Sequence, residues 1–280
     1  MGLGGCIKSI FKGCASLITF FILAGVAISL LNNFISFFPA AQNLSIDETV
    51  KTDERTNDTF YESVFEWEQQ AGIFSSSTYR LKFTLPKKEV DAAMAYLKKI
   101  SRMSYDQIGA DESVYYDDSL QFYCDYWKLV YGKIVRRDAP YIRKIRQGLN
   151  KITQQYAMTD QVKVAFLIGF VQNIDYKIPD TPLGVLPPVP VIKERFADCD
   201  SKALLLYLLL QGMDIGCIIY YSPYYQHAML GVDYPGLRDK KYLGNIPYYF
   251  LETTYPGWEV GQLPPDMSNK DLWFILDLKN

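Results

Sequence analysis

The sequence predicts an α+β domain in which a buried helix packs on an antiparallel β-meander, behind one N-terminal membrane-spanning helix. Three observations predict it. The chain has no charge between Lys12 and Asp47. Residues 198–211, DCDSKALLLYLLLQ, read as a helix that is apolar on all sides from Leu204 to Leu210, the pattern of a helix at a domain centre. Three strand-like segments then follow within residues 215–254. A hydrophobic share of 49% with 21% charged residues excludes a disordered chain and a polytopic membrane protein.

Residues 15–38 form a 24-residue uncharged span, against the ~20 residues needed to cross a bilayer as a helix. The apolar core of a secretory signal is only about 7–15 residues and is followed by a small-x-small cleavage site. Here Phe38 lies three positions before Ala41, so an uncleaved signal anchor is expected. Lys8 and Lys12 precede the span, and Asp47 and Glu48 are the first charges after it. The positive-inside rule then makes residues 1–14 cytoplasmic and the domain extracytoplasmic. The start MGLGGC lacks the Ser or Thr of a myristoylation signal. Residues 39–60 are polar around QNLSIDETVKTDERTNDT and show no periodicity. They read as a linker, which leaves residues 61–280 for the domain.

Within the domain, STYRLKFTL (Ser77 to Leu85) alternates like a strand, with Tyr79, Leu81 and Phe83 on one face. Pro86 opens a helical segment that runs to Ile100. Residues 119–133 are aromatic-rich and fit helix and strand alike. A helix is expected from about Pro140 to Tyr156, and a second after the cap Thr159 to about Ile174. The proline-rich stretch Pro179 to Pro190 reads as a stiff connection or a binding loop. Strands are expected at Ile215–Tyr221, from His227 to the turn at Gly236, and at Tyr248–Thr254.

A net charge of −2 with no basic run gives no electrostatic case for nucleic acid. Five cysteines, no CxxC pair and a single histidine do not supply the clustered ligands of a zinc site. No metal and no cofactor are therefore expected. If histidine performs general-base chemistry, it must be His227.

Cys199 falls at the start of the buried helix, which Asp198 or Asp200 can cap. Unpaired N–H groups at a helix start favour a thiolate, although a buried, inert cysteine is equally common. His227 begins one strand, and Glu252 lies in a later one, flanked by Leu251 and Thr253. Neighbouring antiparallel strands put such residues side by side. The three form a candidate constellation of nucleophile, base and orienting acid.

The order helix-Cys, strand-His, strand-acid spans 54 residues, far too short for the papain layout. It resembles the transglutaminase-like superfamily. DCDSKALLLYLLLQGM looks like that family's nucleophile helix, YYQHAMLGV like its histidine strand and FLETT like its acid strand, and FVQNIDY is similar to the helix before the nucleophile. The resemblance is good over roughly residues 162–264. Ala197 stands where a glycine often precedes Asp-Cys, Glu252 replaces the usual aspartate, and Ala228-Met229 replace a Trp-bearing pattern.

The resemblance implies a transglutaminase-like (papain-like cysteine) fold and acyl transfer at an amide through a thioester on Cys199. Water as acceptor gives a peptidase or amidase; a lysine acceptor gives a cross-linker. A noncatalytic member that binds a protein or peptide is the alternative. Gln172 is a candidate oxyanion donor, a partly exposed helix glutamine or a glutamine that holds the proline loop. Tyr224, Tyr225 and Trp258 are candidates for a substrate groove or for the core.

Overall fold

Alternation of apolar and polar residues in FYESVFEWEQQ and SSTYRLKFTLP generates two long strands, β2 (Phe60–Gln70) and β3 (Ser76–Pro86). The computed structural model describes residues 43–52, 59–70, 76–103 and 120–279. The expected anchor at 15–38 lies outside them. Among the described residues, no helix is long and apolar enough to cross a membrane. The chain divides into two units, residues 1–43 with 70–77 and residues 44–69 with 78–280. The second unit holds every contact that follows.

In β3, Tyr79, Leu81, Phe83 and Leu85 point inward, and Phe65 and Trp67 of β2 meet them. Trp67 stacks on Tyr79 at 4.7 Å, and Phe65 meets Phe83 edge-on at 5.5 Å. The third strand is β1, Ser45–Lys51, which runs parallel to β3 with Ser45 beside Thr78 and Lys51 beside Thr84. This corrects the expected linker over residues 39–60. The segment SIDETVK is polar on one face only: Ile46 and Val50 are buried. Two apolar residues four apart are too few to register as alternation, but they suffice to seat a strand beside an already formed neighbour. The domain therefore begins ahead of residue 61.

Lys87–Ile100 forms α1, with Pro86 as its cap. The next helix, α2, runs unbroken from Leu120 to Gln155 with Pro140 inside it. The expected start at Pro140 is thus corrected. The aromatic stretch before it is helical, and burial of Val130, Tyr131, Ile134, Ile142, Ile145 and Leu149 along one side outweighs the hydrogen bond that a proline removes. Helix α3, Asp160–Gln172, starts as expected at Thr159, whose hydroxyl accepts from the Val162 N–H at 3.3 Å. Phe166 and Phe170 of α3 pack on the aromatic face of β2 and β3.

After a two-residue strand β4 (Asp175–Tyr176), the proline-rich stretch does not stay a loop throughout. Residues Pro188–Glu194 form a short buried helix, α4. Buried Asp138 of α2 accepts from the Val189 N–H at 2.8 Å and so closes the start of α4. Strand β5 (Phe196–Ala197) runs parallel to β4 and leads into α5, Cys199–Leu210. From Ala203 to Leu210 every residue of α5 is at most 1% exposed. Each fully buried leucine is worth about 1.5–3 kcal/mol. Arg146 of α2 donates to the Leu208 carbonyl at 3.1 Å, satisfying one of the last-turn acceptors of α5.

The second sheet has the order β10-β6-β7-β9-β8, antiparallel throughout, from β6 (Cys217–Ser222), β7 (His227–Val232), β8 (Lys240–Leu243), β9 (Ile246–Leu251) and β10 (Phe274–Leu276). The three expected strands are its centre. Strand β9 ends at Leu251, so Glu252 lies just past the strand expected to contain it.

Candidate active site

The N-cap of α5 is Asp198. Its carboxylate accepts from the Ser201 N–H at 3.1 Å and from the Ser201 hydroxyl. Ser201 Oγ also accepts from the Leu186 N–H at 2.7 Å, which ties the helix start to the segment before α4. Cys199 is thereby fixed as the first residue of a helix that has no room to shift. α5 packs directly against β7, the strand whose first residue is His227.

His227 follows a turn in which Gln226 takes a left-handed backbone, φ 50°. The β7–β9 register pairs Leu230 with Leu251. Extended by three residues, it would set His227 beside Thr254, with Glu252 diagonal to it on the same face. The side chains meet there. His227 Nε2 and Glu252 Oε2 are 2.8 Å apart and buried. The other carboxylate oxygen, Oε1, accepts from the Thr254 N–H at 2.8 Å and from the Thr254 hydroxyl at 2.6 Å. Burial alone would raise the Glu252 pKa. The His227 and Thr254 hydrogen bonds outweigh it and hold the carboxyl below its ordinary value. The buried Trp273 indole lies edge-on to the imidazole at 6.1 Å and walls its other side.

The hydrogen-bond partner of the thiol is a carboxylate. Cys199 Sγ donates to Asp200 Oδ1 at 3.5 Å, and among the described residues no hydrogen bond joins it to His227. Its pKa is raised, not lowered. Burial is the main cause, followed by the charges of Asp200 and Asp198; the Ala228 backbone N–H, next to His227, acts in the opposite direction. Removing a thiolate from water beside two carboxylates costs more than one helix end returns. The ligand atoms of Asp198, Cys199 and Asp200 lie within 4.8 Å of one another. They form the one group among the described residues with donors close enough for a metal, but Asp198 is committed to capping and Asp200 to the thiol.

This arrangement carries a prediction. Asp200→Asn removes the carboxylate that holds the thiol proton. Iodoacetamide should then modify Cys199 faster near neutral pH, because one of the charges that opposes the thiolate is gone. Peptide-resolved mass spectrometry separates Cys199 from the buried Cys124 and Cys217. An unchanged rate would remove Asp200 as the group controlling the thiol.

Gln172 turns its amide away from the thiol's end of α5 and into the loop after β9. Both hydrogens of its amide are used, by the Glu252 carbonyl at 2.8 Å and the Trp258 carbonyl at 2.9 Å. It pins the loop after β9 rather than the proline loop. A glutamine at the end of a helix carries no sequence mark that separates these uses. Trp258 is half-buried, with its carbonyl held in this way. Tyr224 is 72% exposed on the turn before His227, and the half-buried Tyr225 packs on Trp273 at 5.6 Å.

Two exposed tyrosines that the motifs do not mark lie near the start of α5. Tyr176 pairs with Ala197, two residues before Cys199, and its ring stacks with that of Tyr255, three residues past Glu252, at 6.0 Å. Both rings are exposed, at 41% and 58%. The Tyr176 phenol pKa is raised by burial and then by Cys199, Asp198 and Asp200, which places it at the thiol end of α5. No protein-family model, curated protein or solved structure matches the chain.

Proposed function

We propose that the chain is a transglutaminase-like cysteine peptidase or amidase, held at a membrane by residues 15–38 with its N-terminus cytoplasmic and its domain extracytoplasmic. The observation that carries the chemistry is the buried 2.8 Å bond between His227 Nε2 and Glu252 Oε2, on the strand that packs against the helix beginning with Cys199. Glu252 occupies Nε2, which leaves Nδ1 as the nitrogen for the thiol.

In the proposed reaction Cys199 turns from Asp200 toward Nδ1. Sγ attacks the amide carbonyl carbon as Nδ1 takes the thiol proton. The same proton passes to the leaving amine as the C–N bond breaks, and a thioester remains. Water then attacks the thioester, gives its proton to Nδ1, and the carboxylic acid departs as the thiol is restored. A lysine amine in place of water gives transamidation. The stacked Tyr176–Tyr255 pair and Tyr224 form the apolar walls on which a protein or peptide substrate lies. No cofactor takes part.

Incubating a mixed peptide library with the full-length chain and with Cys199→Ala, followed by mass spectrometry, tests the reading. New termini, deamidated side chains or cross-links formed by the wild type alone support it. Equal product from both proteins overturns it. The thiol's bond to Asp200 favours a second reading, a noncatalytic module that binds a protein or peptide through the same groove. In that case neither protein yields product and Cys199→Ala binds as the wild type does.

A further inference from the structure

One buried charge near the site has no part in the reaction as written. Lys202 lies one turn after Cys199 on α5 and is 0% exposed, among Ala203, Leu204, Leu205 and Leu206. Among the described residues no carboxylate lies within 4.0 Å of its Nζ. A methionine would fill the same space with no charge to desolvate. The ammonium instead donates to the Thr254 carbonyl at 2.8 Å and to the Gln172 carbonyl at 3.2 Å.

Those two acceptors belong to the residues that hold Glu252. Thr254 gives its N–H and hydroxyl to Glu252 Oε1, and the Gln172 amide gives its hydrogens to the Glu252 and Trp258 carbonyls. Lys202 thus joins the nucleophile helix to the end of α3 and to the acid's loop at one point. Strand β9 has already ended at Leu251, so no ladder hydrogen bond does this for Glu252.

We propose that Lys202 is a positioning residue that fastens the Glu252 loop to the helix of Cys199 and so fixes the orientation of the His227 ring. The inference rests on His227 and Glu252 acting as base and orienting acid. The charged groups facing Lys202 are Glu252, from the loop after β9, and Asp175, from β4; both favour the ammonium. Burial acts against them and prevails, lowering its pKa to about 8. Lys202 therefore carries its charge below about pH 8 and loses it above, and the support it gives the Glu252 carboxylate fades over that interval.

His227 is the only histidine, so its ring nitrogens give one unambiguous set of NMR signals. The full-length chain, labelled at histidine nitrogen in detergent, should show the Nε2–H form at neutral pH. An inflection that reports Lys202 should appear near pH 8. Lys202→Met should abolish that inflection and give a mixture of the two ring tautomers, with unfolding followed by circular dichroism to separate misfolding from mispositioning. The wild-type titration stands even if the variant fails to fold. The proposal is overturned by wild-type ring signals that stay flat through pH 8, or by a folded Lys202→Met that keeps the wild-type tautomer. A failed peptide assay with this NMR result intact would sink the proposed reaction and leave the positioning role standing.

Discussion

Under the proposed mechanism, His227→Ala should abolish turnover as completely as Cys199→Ala. The reason lies in the state of the thiol. Burial and two carboxylates hold Cys199 protonated, so the sulfur has no standing supply of thiolate to fall back on. Asp200 accepts a hydrogen bond from the thiol in the resting site, but it cannot return a proton to the leaving amine at the geometry of the imidazole. No second histidine exists to substitute. Members of such a unit fail together, and losses on the order of 10⁴–10⁶-fold in kcat follow from removing either. The measurement is single-turnover release of product from any peptide the wild type cleaves. His227→Ala retaining a tenth of wild-type activity would mean that Asp200, not His227, is the base.

Glu252→Gln should cost on the order of 10³–10⁴-fold in kcat with the fold intact. The wild-type carboxylate accepts at both oxygens, from Thr254 at Oε1 and from His227 at Oε2. A glutamine has one accepting oxygen. If that oxygen keeps Thr254, the amide NH₂ faces Nε2, and the ring must move its proton to Nδ1, where the thiol needs an acceptor. If the amide flips, its NH₂ meets the Thr254 N–H, donor against donor. The first placement selects the wrong tautomer, and the second keeps the tautomer but sets donor against donor at Thr254. A variant within threefold of wild type would dismiss Glu252 as the orienting acid.

The same carboxylate carries a pH signature. Its folded pKa lies below the ordinary value, so it contributes stability that is present above about pH 4.3 and is lost as the pH falls through the lowered folded value. Glu252→Gln removes that acid-side contribution.

The apolar run from Ala203 to Leu210 and the spacing of Cys199, His227 and Glu252 could be read directly, because burial on all sides and strand alternation leave local marks in the sequence. The His227–Glu252 contact was foreseen for that reason. Strand β1 was not, since its seat depends on β3, more than 25 residues away. At Pro140, inside α2, the proline's local cost is visible in the sequence and the tertiary packing that outweighs it is not. The state of Cys199 turned on a contest between a helix end and two neighbouring carboxylates, and only burial decided it. Lys202 stood in plain sight as the one charge between Asp200 and Asp214. Its partners are main-chain carbonyls, which no residue letter announces.

Helix α5 meets α2, α3, α4, β6 and β7 at once, and its first residue is Cys199. A helix enclosed in this way cannot fray from its start without loosening most of what surrounds it. Its opening therefore belongs to the global transition rather than to a local fluctuation of low free energy. The Cys199 thiol is thus bound to the cooperativity of the whole domain. A destabilising change anywhere in that core leaves the geometry at Cys199 intact in every molecule still folded and lowers only the fraction of molecules that have it.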